Sequence, residues 1–446
     1  MTFYLLKNMN NNKESTNIKI IKIAVLSEEP LGWGSGKHYF PLILDKYSWK
    51  KGNQTYEFST QYISDKEIIN GKLDVKDFNV LLVPGGGVGD GEAIVKGFNC
   101  LGKVRKWKKQ IQKFIKDGGS YIGICGGAAL CTGLITGPDK KPRSFYERQY
   151  KKSEIGISCV NSYYKDLALP LFNMFQFNNP EKIGATGYVF SFAPGHTVDG
   201  KFIHTGGVPI DFKINKDNPI FSDFPSDNLR IRWWGGPALI LPIKPDREVK
   251  ILANYPIKDF SIERPTKIHA WRYKGGVIGL IIAFYKASKM IKKAKSKLKD
   301  ILMYTYYLAG DWEKTDEIIN LNYSNKPSIT AEIYPNKNKG RIILCTSHPE
   351  YMIWYGGYIE EVDDTDFNYI GKGFYQWKNI DPLSVTLREE FTYTWWVVRR
   401  FAAWAAKIPD NHLPPIEKGK ITKKAKKIIK GNIYWDGTLI DQMKNI

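Results

Sequence analysis

Cysteine is scarce in this chain of 446 residues: there are 5, an odd number, and no two stand in a C-x-x-C pair. That excludes a disulfide framework and points to a reducing compartment, so a cytoplasmic protein is expected. A secretory h-region is also lacking, because residues 1–7 hold too short an apolar stretch and residues 8–17 read as a polar leader. No stretch approaches the roughly 20 apolar residues of a membrane span; the longest helix-like run, 277–285, has about half that length. Its lysine-rich continuation, 286–299, leaves a helix lying on a membrane surface open. No G-x-G-x-x-G or Walker loop is present, so no phosphate cradle is read. Acidic residues are few, 45 against 66 Lys and Arg, for a net charge of +21. Such a balance attracts nucleic acid or anionic lipid. The basic clusters at 103–116, 286–299 and 418–430 are lysine rather than arginine, however, and on helical periodicity they read as solvated faces. With no RRM, KH, zinc-finger or helix-turn-helix signature, nucleic acid is not an expected partner.

What the chain does have is a cysteine at a corner. In Tyr121-Ile-Gly-Ile-Cys-Gly-Gly-Ala-Ala129 an apolar run reads as a short buried strand, and Gly123, Gly126 and Gly127 allow a sharp reversal into a helix. A cysteine on such a strand-to-helix turn projects its sulfur away from the backbone, as in a nucleophile elbow. The positive end of the following helix favours thiolate over thiol. A small buried apolar cysteine is the competing reading.

A nucleophile needs a base, and the base needs an orienting partner. Arg341-Ile-Ile-Leu-Cys-Thr-Ser-His-Pro-Glu350 reads as a strand running into His348, with Glu350 placed to bond the far imidazole nitrogen and Pro349 stiffening the link. Open α/β sheets gather function at the carboxyl ends of their strands, where such a histidine meets an elbow cysteine. A third stretch, Phe78-Asn-Val-Leu-Leu-Val-Pro-Gly-Gly-Gly87, is a buried strand ending in glycines. Backbone N–H groups of Gly86 or Gly87, with that of Gly126, would hold an oxyanion. The Arg232-Trp-Trp-Gly-Gly-Pro237 stretch reads as a cavity wall beside the cysteine, through Trp234, Gly235 and Gly236 with Tyr351 nearby, or equally as a structural turn. His196 and His204 fall in glycine-flanked loops whose spacing matches no metal motif; no metal and no cofactor are expected.

These motifs, in this order, resemble the class I glutamine amidotransferase-like superfamily, with its G-x-C-x-G elbow and H-P-E motif. The nearest likeness is to the branch known as the biotin-protein-ligase N-terminal-like domain. It rests on Val83-Pro-Gly-Gly-Gly87, Gly118-Gly-Ser-Tyr-Ile-Gly-Ile-Cys125, Trp234-Gly-Gly-Pro237 and Lys339-Gly-Arg-Ile-Ile-Leu-Cys-Thr-Ser-His-Pro-Glu-Tyr351, and covers roughly residues 20–255 and 327–404. The resemblance implies Cys125 as nucleophile, His348 as general base and acid, Glu350 as orienter, and Gly86, Gly87 and Gly126 as oxyanion donors. Glutamine-dependent members carry a glutamine shortly after the cysteine; Gly127-Ala128-Ala129 follows here, so the substrate stays open between amide and acyl compounds. A partner enzyme or an acceptor protein is compatible with it.

Strand, helix and strand alternate through residues 18–124, with glycine turns at strand ends. This predicts a flavodoxin-like, doubly wound, mostly parallel sheet with helices on both faces. Residues 156–253 change to short β-like pieces, an inserted β-rich segment. Residues 257–324 read as a helical insertion whose second helix is 300–320. A helix at 387–406 ends before Pro409. The expected organisation is a leader at 1–17, one domain at 18–410 with the insertion at 257–324, and a basic tail at 411–446. The predicted function is cysteine-dependent amide or acyl transfer through Cys125, His348 and Glu350. Two rivals stand beside it. One is a hydrolase resembling the PfpI-like family, in which Glu28 or Glu29 assists the cysteine. The other is a non-catalytic module that binds a small molecule or docks a ligase.

Overall fold

Strands buried on both faces read as unbroken apolar runs, and two such runs form the middle of the sheet. The computed structural model describes residues 17–27, 35–85, 101–134, 155–162, 196–198, 201–203, 208–233, 238–257, 267–273, 277–279, 281–282, 285, 288, 312–320, 323–334, 340–350 and 385–417. Among them, β4 (Val80–Val83) and β5 (Ser120–Ile124) are buried at every position. They join a ten-stranded sheet with β1 (Asn17–Leu26), β2 (Ser48–Lys51), β3 (Gln54–Ile63), β6 (Val208–Ile214), β7 (Asn228–Trp233), β8 (Val249–Asn254), β9 (Pro327–Ile333) and β10 (Arg341–Cys345). The order across the sheet is β7-β6-β8-β9-β10-β5-β4-β1-β3-β2.

The architecture is mixed α/β. β3, β1, β4, β5 and β10 pair in parallel, while β2 at one edge and β9, β8, β6 and β7 at the other pair antiparallel. The sheet is therefore not mostly parallel, as the sequence led us to expect. The short β pieces expected to form an insertion extend the same sheet, because the β9–β10 hairpin turns the chain back and offers β8 an open edge.

Helices pack on both sides. α3 (Leu101–Lys116) buries Trp107, Ile111, Phe114 and Ile115 against Leu81, Val83, Tyr121 and Leu344, leaving its lysines outside as its 3.6-residue period requires. On the other face Arg341 of β10 stacks on Trp404 of α5 (Val385–Ala405), 4.6 Å from guanidinium carbon to ring centre. From Thr394 to Ala405 that helix is buried all round, so its two arginines must find acceptors. Arg399 donates to the carbonyl of Ile43 in α1 (Ser35–Leu44), and Arg400 to the carbonyls of Ile220, Pro219 and Pro414. The chain after α5 stays packed: Leu413 is buried, and the carbonyls of His412 and Pro414 accept from Trp49 and Trp396.

The sequence predicts a helix over 300–320, but Trp312–Asn320 is a strand, paired antiparallel with Lys267–Tyr273. The register sets Trp312 opposite Tyr273, Glu313 opposite Arg272 and Ile319 opposite Ile268. Aromatic, charged and β-branched cross-strand pairs of this kind stabilise a ribbon and override the local helical reading. His196 likewise lies in a strand of a small ribbon, His196–Val198 with Lys201–Ile203, rather than in a loop. Among the described residues no helix is long and apolar enough to cross a membrane.

One buried ion pair ties the sheet to the elbow. Glu332 of β9 accepts from Arg247 Nε at 2.6 Å, from Ser158 Oγ and, at 3.3 Å, from the backbone N–H of Cys159. The strap 155–160 so held also donates from Ile155 and Ser158 to the carbonyls of Leu130 and Cys131, at the end of α4 (Gly126–Cys131). Removing the carboxylate strips the largely buried Arg247 guanidinium of its buried partner, leaving only the exposed Asp246 as its counter-charge, and leaves Ser158 and the Cys159 N–H without their acceptor. Glu332→Ala should therefore destabilise the protein by about 3–5 kcal/mol in denaturant titration. Asp211→Ala, which breaks the exposed pair with Arg230, should change stability by about 1 kcal/mol or less. Equal effects from the two would contradict the role given to Glu332.

Candidate active site

β5 and β10 run side by side in parallel, Ile124 opposite Cys345, so the residues that follow each strand emerge at the same edge of the sheet. On β5 that residue is Cys125. Its backbone N–H donates to the carbonyl of Cys345 at 2.7 Å, and the chain turns there with φ of +49°. A side chain other than glycine in this left-handed region is strained by about 1–2 kcal/mol, and α4 begins at the next residue. The close packing of the turn holds the strain. A Cβ on Gly127 would lie 2.1 Å from the carbonyl oxygen of Val83, so only glycine lets the elbow settle against the end of β4.

On β10 the continuation is Thr346-Ser347-His348. The backbone N–H of His348 donates to the carbonyl of Arg232 at 2.8 Å, an antiparallel bridge that makes the end of β7 a clasp on this turn. Tyr255, fully buried, holds Thr346 by a hydroxyl–hydroxyl bond of 2.7 Å. The imidazole points back at the elbow. A Cβ built on Gly85 would lie 2.7 Å from His348 Cε1 and 2.8 Å from Cys125 Cβ, so both side chains crowd the bare backbone of Gly85 and leave no room there for a methyl. The Cys125 side chain acts on the His348 ring closely enough to favour its protonated form. Nδ1 of the ring bonds Glu350 Oε1 at 2.8 Å. His348 is 3% exposed and Glu350 0%. The indole N–H of Trp395 in α5 donates to the Glu350 carbonyl at 3.2 Å, which fixes the backbone behind the carboxylate.

Burial alone disfavours the charged imidazole, but the Cys125 sulfur and the Glu350 carboxylate outweigh it and push His348 up to about 10. Burial pushes Cys345 up to about 12, burial and Glu332 do the same to Cys159, and burial raises Cys131 well above the thiol range.

Of the residues singled out from sequence, Cys125, His348 and Glu350 therefore come together, and Gly126 follows the sulfur directly. Gly86, Gly87, Trp234, Gly235, Gly236 and Tyr351, along with Glu28, Glu29 and His204, lie outside the described residues. Sequence reasoning gave no role to Gly85, whose missing side chain makes room for the pair, or to Tyr255 and Trp395, which hold the histidine turn. The run of three glycines after Pro84 was the signal for Gly85, and Arg232, which clasps the His348 backbone, heads the stretch read as a cavity wall. A cleft of about 380 Å³ bounded by Phe78, Asn79, Gly118 and Lys407 sits at the amino ends of β4 and β5, away from Cys125.

No family model matches the chain. Over 86 residues it is 29% identical to the phosphoribosylformylglycinamidine synthase subunit PurQ of Picrophilus torridus, a class I glutamine amidotransferase. The match takes in 19% of this chain, and the chain spans about a third, 34%, of that relative's length. The similarity is weak and partial, at the level of the superfamily at most.

Because His348 is raised above its ordinary value near 6.5 to about 10, its stabilising contribution is complete below pH 6.5 and is lost as pH rises through about 10. In a histidine-resolved NMR titration the His348 ring should titrate near 10, and markedly lower in Cys125→Ser, which removes the larger of the two charges holding the proton. A wild-type midpoint at or below about 6.5 would contradict the pairing.

Proposed function

We propose that this chain is a cysteine-dependent acyl-transfer enzyme of the class I glutamine amidotransferase-like type, acting on a small amide. The observation that carries the proposal is the continuous contact from Cys125 through the His348 ring to Glu350, with the acid buried and the imidazole favoured in its charged form. The partial likeness to PurQ supports the same superfamily. So does the order of the parallel strands, β3-β1-β4-β5-β10, which is the 2-1-3-4-5 order of flavodoxin-like, doubly wound sheets. Within the superfamily we place the chain nearest the biotin-protein-ligase N-terminal-like branch, on its glycine loops and H-P-E context. We take residues 18–410 as one unit carrying an insertion at 257–324.

The proposed chemistry combines this cluster with the glycine donors expected from sequence. The Cys125 thiolate attacks the amide carbon, and the carbonyl electrons move onto oxygen, which rests against the N–H of Gly126 and of Gly86 or Gly87. Each such donor contributes about 10²–10³-fold in rate. As the tetrahedral species collapses, the carbon–nitrogen bond breaks and His348 gives its proton to the departing amine. The thioester left on Cys125 is released by water or by an acceptor nucleophile, from which His348 now takes the proton. Glu350 holds one tautomer and orientation of the ring throughout. Its burial strengthens that hold by excluding competing water.

The test is ammonia release from a panel of small primary amides, glutamine, asparagine and biotinamide included. Wild type should turn over at least one of them, and Cys125→Ser and His348→Ala should each lower the rate by about 10³-fold or more. Turnover that survives His348→Ala would shift the base role to the PfpI-like arrangement with Glu28 or Glu29. Thermal stabilisation by an amide with no turnover of any would replace catalysis with binding.

A further inference from the structure

Between the ribbon strands Lys267–Tyr273 and Trp312–Asn320, residues 277–279, 281–282, 285 and 288 are helical. Their apolar side chains face out: Val277 is 73% exposed, Ile278 74%, Ile281 63%, Ile282 49% and Tyr285 60%. Five of the eleven exposed large apolar residues described in the protein thus fall within nine positions, whereas the others are scattered. Scattered ones need no explanation; a contiguous group does. At 100° per residue these five span an arc of about 140°, one side of the helix.

The charge around this face says what covers it. From Arg264 to Lys299 the sequence carries eleven basic residues and no Asp or Glu, and seven of the eleven are the lysines of 286–299. A second copy of the chain would bring the same positive charge against it and be repelled. A nucleic acid would pair with the lysines but leave the isoleucines in water. Both features are met by a surface that is anionic outside and hydrocarbon just beneath.

We propose that the exposed side chains of Val277, Ile278, Ile281, Ile282 and Tyr285 seat this chain on an anionic bilayer surface, with that apolar arc in the headgroup–acyl boundary and the lysine-rich sequence that follows supplying the attraction to anionic lipid. The helix lies in the interface and does not span it, since the apolar run is about half the length a span needs. The enzyme would then act beside a membrane while its sheet and triad stay in water.

Flotation of the full-length protein with vesicles tests this. The vesicles are phosphatidylcholine alone, or with about 30% phosphatidylserine, at low and high salt. Binding to the anionic vesicles should exceed binding to neutral ones by about tenfold or more and weaken with salt. The double variant Ile278→Asp with Ile282→Asp should lose binding by about tenfold or more, and Lys292→Glu with Lys293→Glu should weaken it. Both should keep the wild-type unfolding temperature, because Ile278 and Ile282 are exposed and the lysine variant spares the apolar face. The proposal fails if neutral and anionic vesicles bind alike, if the isoleucine variant still floats, or if nothing floats. It fails equally if the wild type forms a dimer that the isoleucine variant splits without any vesicle binding.

Discussion

Cys125 donates its backbone N–H to the carbonyl of Cys345, and that bond closes the parallel ladder between β5 and β10. Everything at the site depends on this seam. Parallel pairing delivers the residues beyond both strands to one edge, so two stretches far apart in sequence bring the side chains of Cys125 and His348 against the same glycine, Gly85. A slip of one residue in the register would turn every side chain of β10 to the opposite face. His348 would then leave the cysteine, although no contact within the H-P-E stretch itself need change.

Several independent supports fix that seam. Arg232 grips the His348 backbone from β7, Tyr255 holds Thr346, and Trp395 holds the carbonyl of Glu350 from the far side of the sheet. The elbow has its own support: Glu332 and Arg247 secure the 155–160 strap, which donates to the end of α4. The antiparallel half of the sheet is thus more than an extension of the parallel half, because β7 and β9 are where the clasp on the histidine and the anchor of the strap originate. Burying Glu350 completely is tolerable only because one oxygen is bonded to a ring that holds positive charge.

Much of this was legible in the residues, for a physical reason. Central parallel strands are buried on both faces, so β4, β5 and the second half of β1 announce themselves as apolar runs that stop at polar or glycine turns. Val208–Ile214 has the bounds its own residues predict. The proximity of Cys125, His348 and Glu350 was legible because a cysteine at a corner and a histidine with an acid close by form a recognisable pattern. The partners of the antiparallel strands were not legible, since alternation in a short segment tells which face is buried but not which edge it joins. Trp312–Asn320 was misread as helix because its ribbon partner lies about forty residues back and sequence pattern carries no record of such pairing. Gly85 was passed over because a glycine that makes room for two side chains looks, in sequence, like one that merely turns the chain.

The proposed chemistry depends on a working partnership between His348 and the Cys125 sulfur. Its most direct measurement is the rate at which iodoacetamide alkylates Cys125 at pH 6, resolved by peptide mapping from the other cysteines. Wild type should react about tenfold or more faster than His348→Ala, because at that pH an ordinary thiol is almost wholly protonated and unreactive. Equal rates in the two proteins would mean that sulfur and ring are neighbours without being partners, and the account would fail.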